Sequence, residues 1–140
     1  MPTLIDTSLW IDFTRVRSPR PLKRFIAPFI LNPDAHLADP IIFEMLRHAT
    51  PAKAKQLTPQ FQTMPTLATP PSLWSQAAEL GQACRQKNLT VNSLDLLIAT
   101  IALHHAAEMV TFDEDFRRIA GVSKLRVKVL NRPTPAKCQP

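Results

Sequence analysis

Glycine is nearly missing from this chain: only Gly81 and Gly121 occur in 140 residues. The glycine-rich phosphate cradles, of both the P-loop and the dinucleotide-binding type, are therefore excluded by count. Cysteine is equally scarce, with Cys84 and Cys138 far apart and no CxxC or Cys/His zinc spacing. Two cysteines are too few for a disulfide framework, and a reducing cytoplasm fits them. The longest apolar region, from Leu94 to Ala107, falls short of the roughly 20 residues of a membrane span and contains Asp95. The opening MPTLIDTSLW has no basic segment followed by a signal-type apolar stretch. A cytoplasmic protein without membrane association is expected. There is no GxSxG elbow, and nothing marks a catalytic cysteine.

The length suits a single domain, and 45% hydrophobic with 20% charged residues is the composition of an ordinary globular protein. Lys plus Arg exceeds Asp plus Glu by 17 − 11 = 6, so the net charge is +6, which favours a polyanionic partner such as nucleic acid. Short apolar strands are expected at Thr3 to Ile5, Ala35 to Ala38, Thr66 to Ala68, Met109 to Phe112 and Leu125 to Leu130. Helical spacing and start signals place helices over Ser8–Thr14, after Asp39-Pro40, and from Thr50-Pro51 until Pro59 interrupts. Further helices follow Thr69 or Ser72, Asn92 or Ser93, and Asp113. The run Arg15 to Arg24 holds Arg15, Arg17, Arg20, Lys23 and Arg24 with no acid, and reads as an exposed basic loop leading to a helix. Trp10, Trp74 and the phenylalanines read as core. Alternating strands and helices point to an α/β sandwich around a mainly parallel sheet. It should occupy residues 1–130, followed by a polar, flexible tail over 131–140.

Carboxylates are the remaining candidates for chemistry. In an open parallel sheet ligands bind beyond the carboxyl ends of the strands. Asp6 and Asp113 stand where two apolar strands run out. Each also has a capping explanation: Asp6 precedes a helix, and Thr111-x-x-Glu114 matches a capping box. Asp95 is different, because its helix is apolar on nearly every side. The helix dipole contributes only about 0.3–1 kcal/mol to an acid there, less than burying an unpaired charge costs. A metal, an arginine or a cluster of polar groups must face it. Glu44, in IIFEMLRHA, has the alternative of pairing with Arg47 or His48 for about 0.2–0.5 kcal/mol. If the four acids converge, their repulsion calls for a divalent cation, and oxygen-only ligation selects Mg²⁺ or Mn²⁺. His104 and His105 are adjacent and cannot form an i,i+4 zinc pair.

Three segments together resemble the PIN-domain ribonucleases, in particular the VapC-type toxins of toxin–antitoxin pairs. LIDTSLWIDF is similar to the family's opening strand, with the first acid at Asp6. IIFEMLRHA is similar to the second-acid helix, with Glu44. LDLLIATIALHHAAEMVTFDEDF is similar to the third-acid helix and following strand, with Asp95 and then Asp113. Asp115 is an alternative or additional fourth ligand. His48-Ala49-Thr50-Pro51 replaces the glycine at which the second-acid helix often ends.

The resemblance implies a PIN-like three-layer sandwich and Mg²⁺-dependent cleavage of single-stranded or loop RNA. It also implies a small antitoxin partner and a homodimer. In such a site Asp6, Asp95 and Asp113 would hold the metal, Glu44 would orient or deprotonate water, and Thr7 or Thr111 would support them. Arg15, Arg17, Arg20, Lys23 and Arg24 would grip RNA phosphates. The antitoxin would lie over an apolar rim near Trp10 and Phe13 and send a basic side chain to the acids. The competing reading is a non-catalytic PIN-like module that binds RNA or protein. It does not require all four acids. A phospho-acceptor signalling domain would want an adjacent acid pair early in the chain, and no convincing pair is present.

Overall fold

β1 (Thr3–Ile5) is buried except at its first residue, and it forms the centre of a five-stranded sheet ordered β3-β2-β1-β4-β5. The computed structural model describes residues 1–133. The other strands are β2 (Ala35–Ala38), β3 (Thr66–Leu67), β4 (Glu108–Thr111) and β5 (Arg126–Val129). Every neighbouring pair is parallel. Helices flank the sheet in the expected three-layer α/β sandwich. The chain first steps outward from β1 to β2 and β3, then returns to place β4 and β5 on the other side of β1. Strand order reverses between β1 and β4, which is where open parallel sheets form their binding crevice.

The helices are α1 (Thr7–Thr14), α2 (Arg20–Ile30), α3 (Asp39–Arg47), α4 (Pro51–Gln62), α5 (Leu73–Gln86), α6 (Ser93–His104) and α7 (Asp115–Ala120). α6 carries five consecutive buried residues, Ile98 to Ala102, and packs against α3, α5, α7 and β4. It starts at Asn92, whose side chain accepts from the backbone N–H of Leu94 at 2.8 Å and of Asp95 at 3.4 Å. Past its C-terminus Ala106 takes a positive φ of 51°, unusual for a residue with a Cβ. The chain turns there, and Ala107 N–H donates to the carbonyl of Ala102 at 2.9 Å before β4 begins.

Four sequence expectations change. Pro59 does not end α4, which runs to Gln62. The carbonyl its missing N–H leaves free belongs to Lys55; both residues are exposed, so solvent can satisfy it. The basic run is only partly a loop, because Arg20, Lys23 and Arg24 lie on α2, with Pro21 in its first turn. Trp74, near the start of α5, and Phe43, on α3, are not core but 73% and 56% exposed, whereas Trp10 is buried edge-on against Phe61 at 5.7 Å. The capping box at Thr111 does not form: Glu114 pairs with Arg117 at 2.9 Å, and the Thr111 hydroxyl accepts from Asp113 N–H. Of the expected tail, Asn131, Arg132 and Pro133 are described, whereas 134–140, with Cys138, lie outside the described residues. No helix among the described residues is long and apolar enough to cross a membrane.

Candidate active site

β1 and β4 run side by side with Ile5 opposite Val110, so their carboxyl ends bring Asp6 next to Thr111. Asp6 N–H donates to the Val110 carbonyl at 3.0 Å. The Thr111 hydroxyl donates to Asp6 Oδ2 at 2.7 Å, and the Ser8 hydroxyl donates to the same oxygen at 2.9 Å. Ser8 Oγ in turn accepts from Phe112 N–H at 3.0 Å, and Thr111 Oγ1 accepts from Asp113 N–H at 2.9 Å. Asp113 Oδ1 accepts from Asp115 N–H at 2.9 Å, at the first residue of α7. A hydrogen-bonded chain thus links the ends of both central strands and fixes the backbone of Asp113 and Asp115 relative to Asp6.

Asp6 is both the N-cap of α1 and a buried carboxylate, 4% exposed. Burial pushes its pKa up, and the hydroxyls of Thr111 and Ser8 oppose that shift. Asp95 is half-buried at the third residue of α6. Its pKa is pushed up to about 7, first by burial and then by the negative charges of Asp6, Asp113, Glu44 and Asp115. All four acids are close enough for Asp95 to feel them. Among the described residues no lysine or arginine forms an ion pair with Asp6, Glu44, Asp95 or Asp113, and Asp95 is not the cap of its helix.

Carboxylate oxygens of Asp95, Asp113 and Asp115 lie within 4.8 Å of one another. This all-oxygen donor set, in which neither Asp95 nor Asp113 is paired with a lysine or arginine among the described residues, fits a hard divalent cation such as Mg²⁺ or Mn²⁺. Asp115 also meets Arg118 Nη1, at 3.3 Å on the periphery. Asp6 and Glu44 fall outside that compact trio: Asp6 is tied to its hydroxyls, and Glu44, half-buried on α3, lines a separate groove between α1, α3 and α4. Of the two candidate supporting residues, Thr111 holds Asp6. Thr7 is buried with its hydroxyl unpartnered among the described residues.

Arg15 and Arg17 line a groove of about 1000 Å³ that also touches Ser8, whereas Arg20, Lys23 and Arg24 do not line it. Sequence reasoning missed Ser8. Its signal was available: a hydroxyl two residues after an acid at a strand-to-helix junction is a local hydrogen-bonding arrangement. It also missed the pair in which Arg132 Nε donates to Asp12 Oδ2 at 2.6 Å. Those residues are 120 positions apart, and no local pattern joins them.

The family profile described as PIN domain matches residues 3–122. Ribonuclease VapC21 of Mycobacterium tuberculosis is 34% identical over 70 residues, which is 49% of this chain and 51% of that protein. The chain thus matches about half the length of that relative. VapC ribonuclease Mb1587 of Mycobacterium bovis is 29% identical over 129 residues, covering 88% of this chain and 95% of the relative. The solved structure of VapBC2 from Rickettsia felis, bound to a DNA fragment from its promoter, superposes with a TM-score of 0.74 at 17% identity. That match covers 94% of this chain and 100% of the other, and it speaks to the fold alone. With a profile match across most of its length and the same architecture, this chain belongs to the PIN-domain family.

Proposed function

We propose that the protein is a divalent-metal-dependent endoribonuclease and the toxin of a toxin–antitoxin pair. The observation that carries this reading is Asp95: a half-buried carboxylate surrounded by four other acids, with no cationic side chain paired to it. Such a site is costly unless something positively charged occupies it when the protein works. Asp95 and Asp113, with Asp115, would hold Mg²⁺ or Mn²⁺, and Asp6 would complete the negative field from the β1 end. A bound ion supplies Lewis acidity: it lowers the pKa of water and offsets charge building on the phosphate. Glu44, from α3, would orient the attacking water or take its proton on a carboxylate oxygen. The hydroxyls of Thr111 and Ser8 keep Asp6 in place and ionisable. Relatives bearing the name ribonuclease support RNA as substrate. Purified protein should cut single-stranded RNA in millimolar Mg²⁺, and intact RNA under those conditions contradicts the reading.

The basic run belongs to the same proposal. Replacing Arg15, Arg17, Arg20, Lys23 and Arg24 by glutamine in groups should weaken RNA binding across sequences. The salt slope should flatten by about 0.7 for each phosphate that is no longer neutralised. Arg15 and Arg17, at the groove, should matter more than the three residues on α2. Filter binding over a salt series distinguishes this from a merely solvated surface, for which affinity and slope keep the parent values.

A small cognate antitoxin and a homodimer complete the assembly we infer, acting in the cytoplasm. The groove of about 510 Å³ between α1, α3 and α4 suits an amphipathic antitoxin segment, with Ile11, Val16 and Leu57 along it and Glu44 at hand for a basic side chain. Trp10 cannot serve as the expected rim, because it is buried.

A further inference from the structure

Arg132 lies beyond β5, outside the segments that carry the four acids. Its Nε donates to Asp12 Oδ2 at 2.6 Å, and the Asp12 side chain is 10% exposed while that of Arg132 is 51% exposed. Its guanidinium carbon stands 4.4 Å from the centre of the Phe112 ring, and Phe112 stacks on Phe25 at 6.3 Å. One edge of the guanidinium is therefore tied to a buried carboxylate and one face is laid on an aromatic ring. Arginine carries five N–H donors, and the Asp12 bond uses the one on Nε. Neither Nη nitrogen has a hydrogen-bond partner among the described residues.

The position of this fork connects two features of the molecule. Arg132 and Ser8 line both the groove of about 1000 Å³ that holds Arg15 and Arg17 and a pocket of about 330 Å³ that holds Asp113. Those two residues form the shared wall between the basic loop and the acids. An acid-lined pocket repels an incoming polyanion, so a phosphate approaching Asp113 needs a fixed positive group at its entrance. A guanidinium restrained by Asp12 and Phe112 loses little freedom on binding, and its planar fork matches two phosphate oxygens.

We propose that Arg132 binds a phosphate of the RNA strand beside the acid cluster, with Asp12 and Phe112 holding it in register. This rests on the ribonuclease reading above. The strand then passes from Arg15 and Arg17, across Arg132, to Asp113. Arg132 acts on substrate binding, and Asp12 is a positioning residue that works through it.

The test is steady-state cleavage of a short single-stranded RNA in Mg²⁺ by the full chain and by Arg132→Gln, Arg132→Lys and Asp12→Asn, with thermal unfolding of each. RNA binding over a salt series is measured in the Asp95→Asn background. Arg132→Gln should raise KM about tenfold, with the loss falling on KM rather than kcat, and should flatten the salt slope by about 0.7. Arg132→Lys keeps the charge without the fork, so it should retain the slope and still raise KM severalfold. Asp12→Asn should raise KM without changing the slope. If Arg132→Gln lowers only the unfolding temperature while KM and slope keep parent values, Arg132 is a structural strap and the proposal fails. If Arg132→Gln does not fold, a parent-like KM for Arg132→Lys overturns it equally. A parent protein that cuts no RNA sinks the ribonuclease reading and this inference with it. A parent that cuts RNA with KM indifferent to Arg132 sinks this inference alone.

Discussion

Asp95→Asn should abolish RNA cleavage, by about a thousandfold or more, and leave the metal-free protein at least as stable as the parent. Asparagine is nearly isosteric, keeps polar atoms for hydrogen bonds and removes one charge from a cluster of like charges. The effect should depend on pH in a defined sense. The Asp95 carboxyl is raised from 3.8 to about 7 in the folded protein, by burial first and the neighbouring acids second. Between those values the folded state holds a proton that the unfolded state has released. Its stabilising contribution is therefore fully present below pH 4 and lost as pH rises through 7. A shift of this size on a half-buried group, discounted for solvent screening, corresponds to roughly 2 kcal/mol. In EDTA the mutant should match the parent near pH 4 and exceed it by up to about that amount at pH 8. Mg²⁺ reverses the order: an ion at one hundred times its dissociation constant stabilises the folded state by about 2.7 kcal/mol, and the mutant should gain far less. Thermal unfolding of both proteins, with and without the ion, reads all of this. A mutant less stable under every condition, beside a parent indifferent to Mg²⁺, would mean that Asp95 is structural.

Thr111→Val should cost about 2–3 kcal/mol at pH 8, because it leaves a buried carboxylate without its shortest hydrogen bond. Thr111 is fully buried, and its hydroxyl both donates to Asp6 at 2.7 Å and accepts from Asp113 N–H at 2.9 Å. Valine fills the same space and suits a strand, so packing and propensity change little. For a domain of this size the loss corresponds to a fall in Tm of roughly 6–12 °C. It should shrink in acid, where a protonated Asp6 no longer needs the donor, and Thr111→Ser should restore most of it. RNA cleavage should fall as well, since Asp6 and the Asp113 backbone both rely on this hydroxyl. Parent-like stability at pH 8 would show that Asp6 finds another partner and that Thr111 is a packing residue only.

Asp95 was legible in the sequence because its surroundings are local: an acid in the first turn of an otherwise apolar helix announces that something polar faces it. The strands were legible for a related reason, being short apolar runs bounded by turn residues and helix caps. The hydrogen-bonded chain from Asp6 to Asp113 was only partly so. Its donor Thr111 stands in the motif, but the bond spans 105 residues and depends on β1 pairing with β4. Arg132 reads from the sequence as the start of a flexible tail, because its partner Asp12 is on α1, 120 positions away. Pro59 and Trp74 misled in opposite directions. Each residue type carries a strong average expectation, helix end for one and burial for the other, and tertiary surroundings override it. The trio of Asp95, Asp113 and Asp115 shows what spacing leaves open: which of two acids, two residues apart, faces a third was decided by the turn into α7, where both do.

The most direct measurement is cleavage of a single-stranded RNA by the purified protein in millimolar Mg²⁺ and in excess EDTA, with Asp95→Asn alongside. A carboxylate-held metal centre predicts cutting by the parent in Mg²⁺, none in EDTA, recovery when the ion is restored, and none by Asp95→Asn in either condition. Cutting that persists undiminished in EDTA and in Asp95→Asn would contradict it.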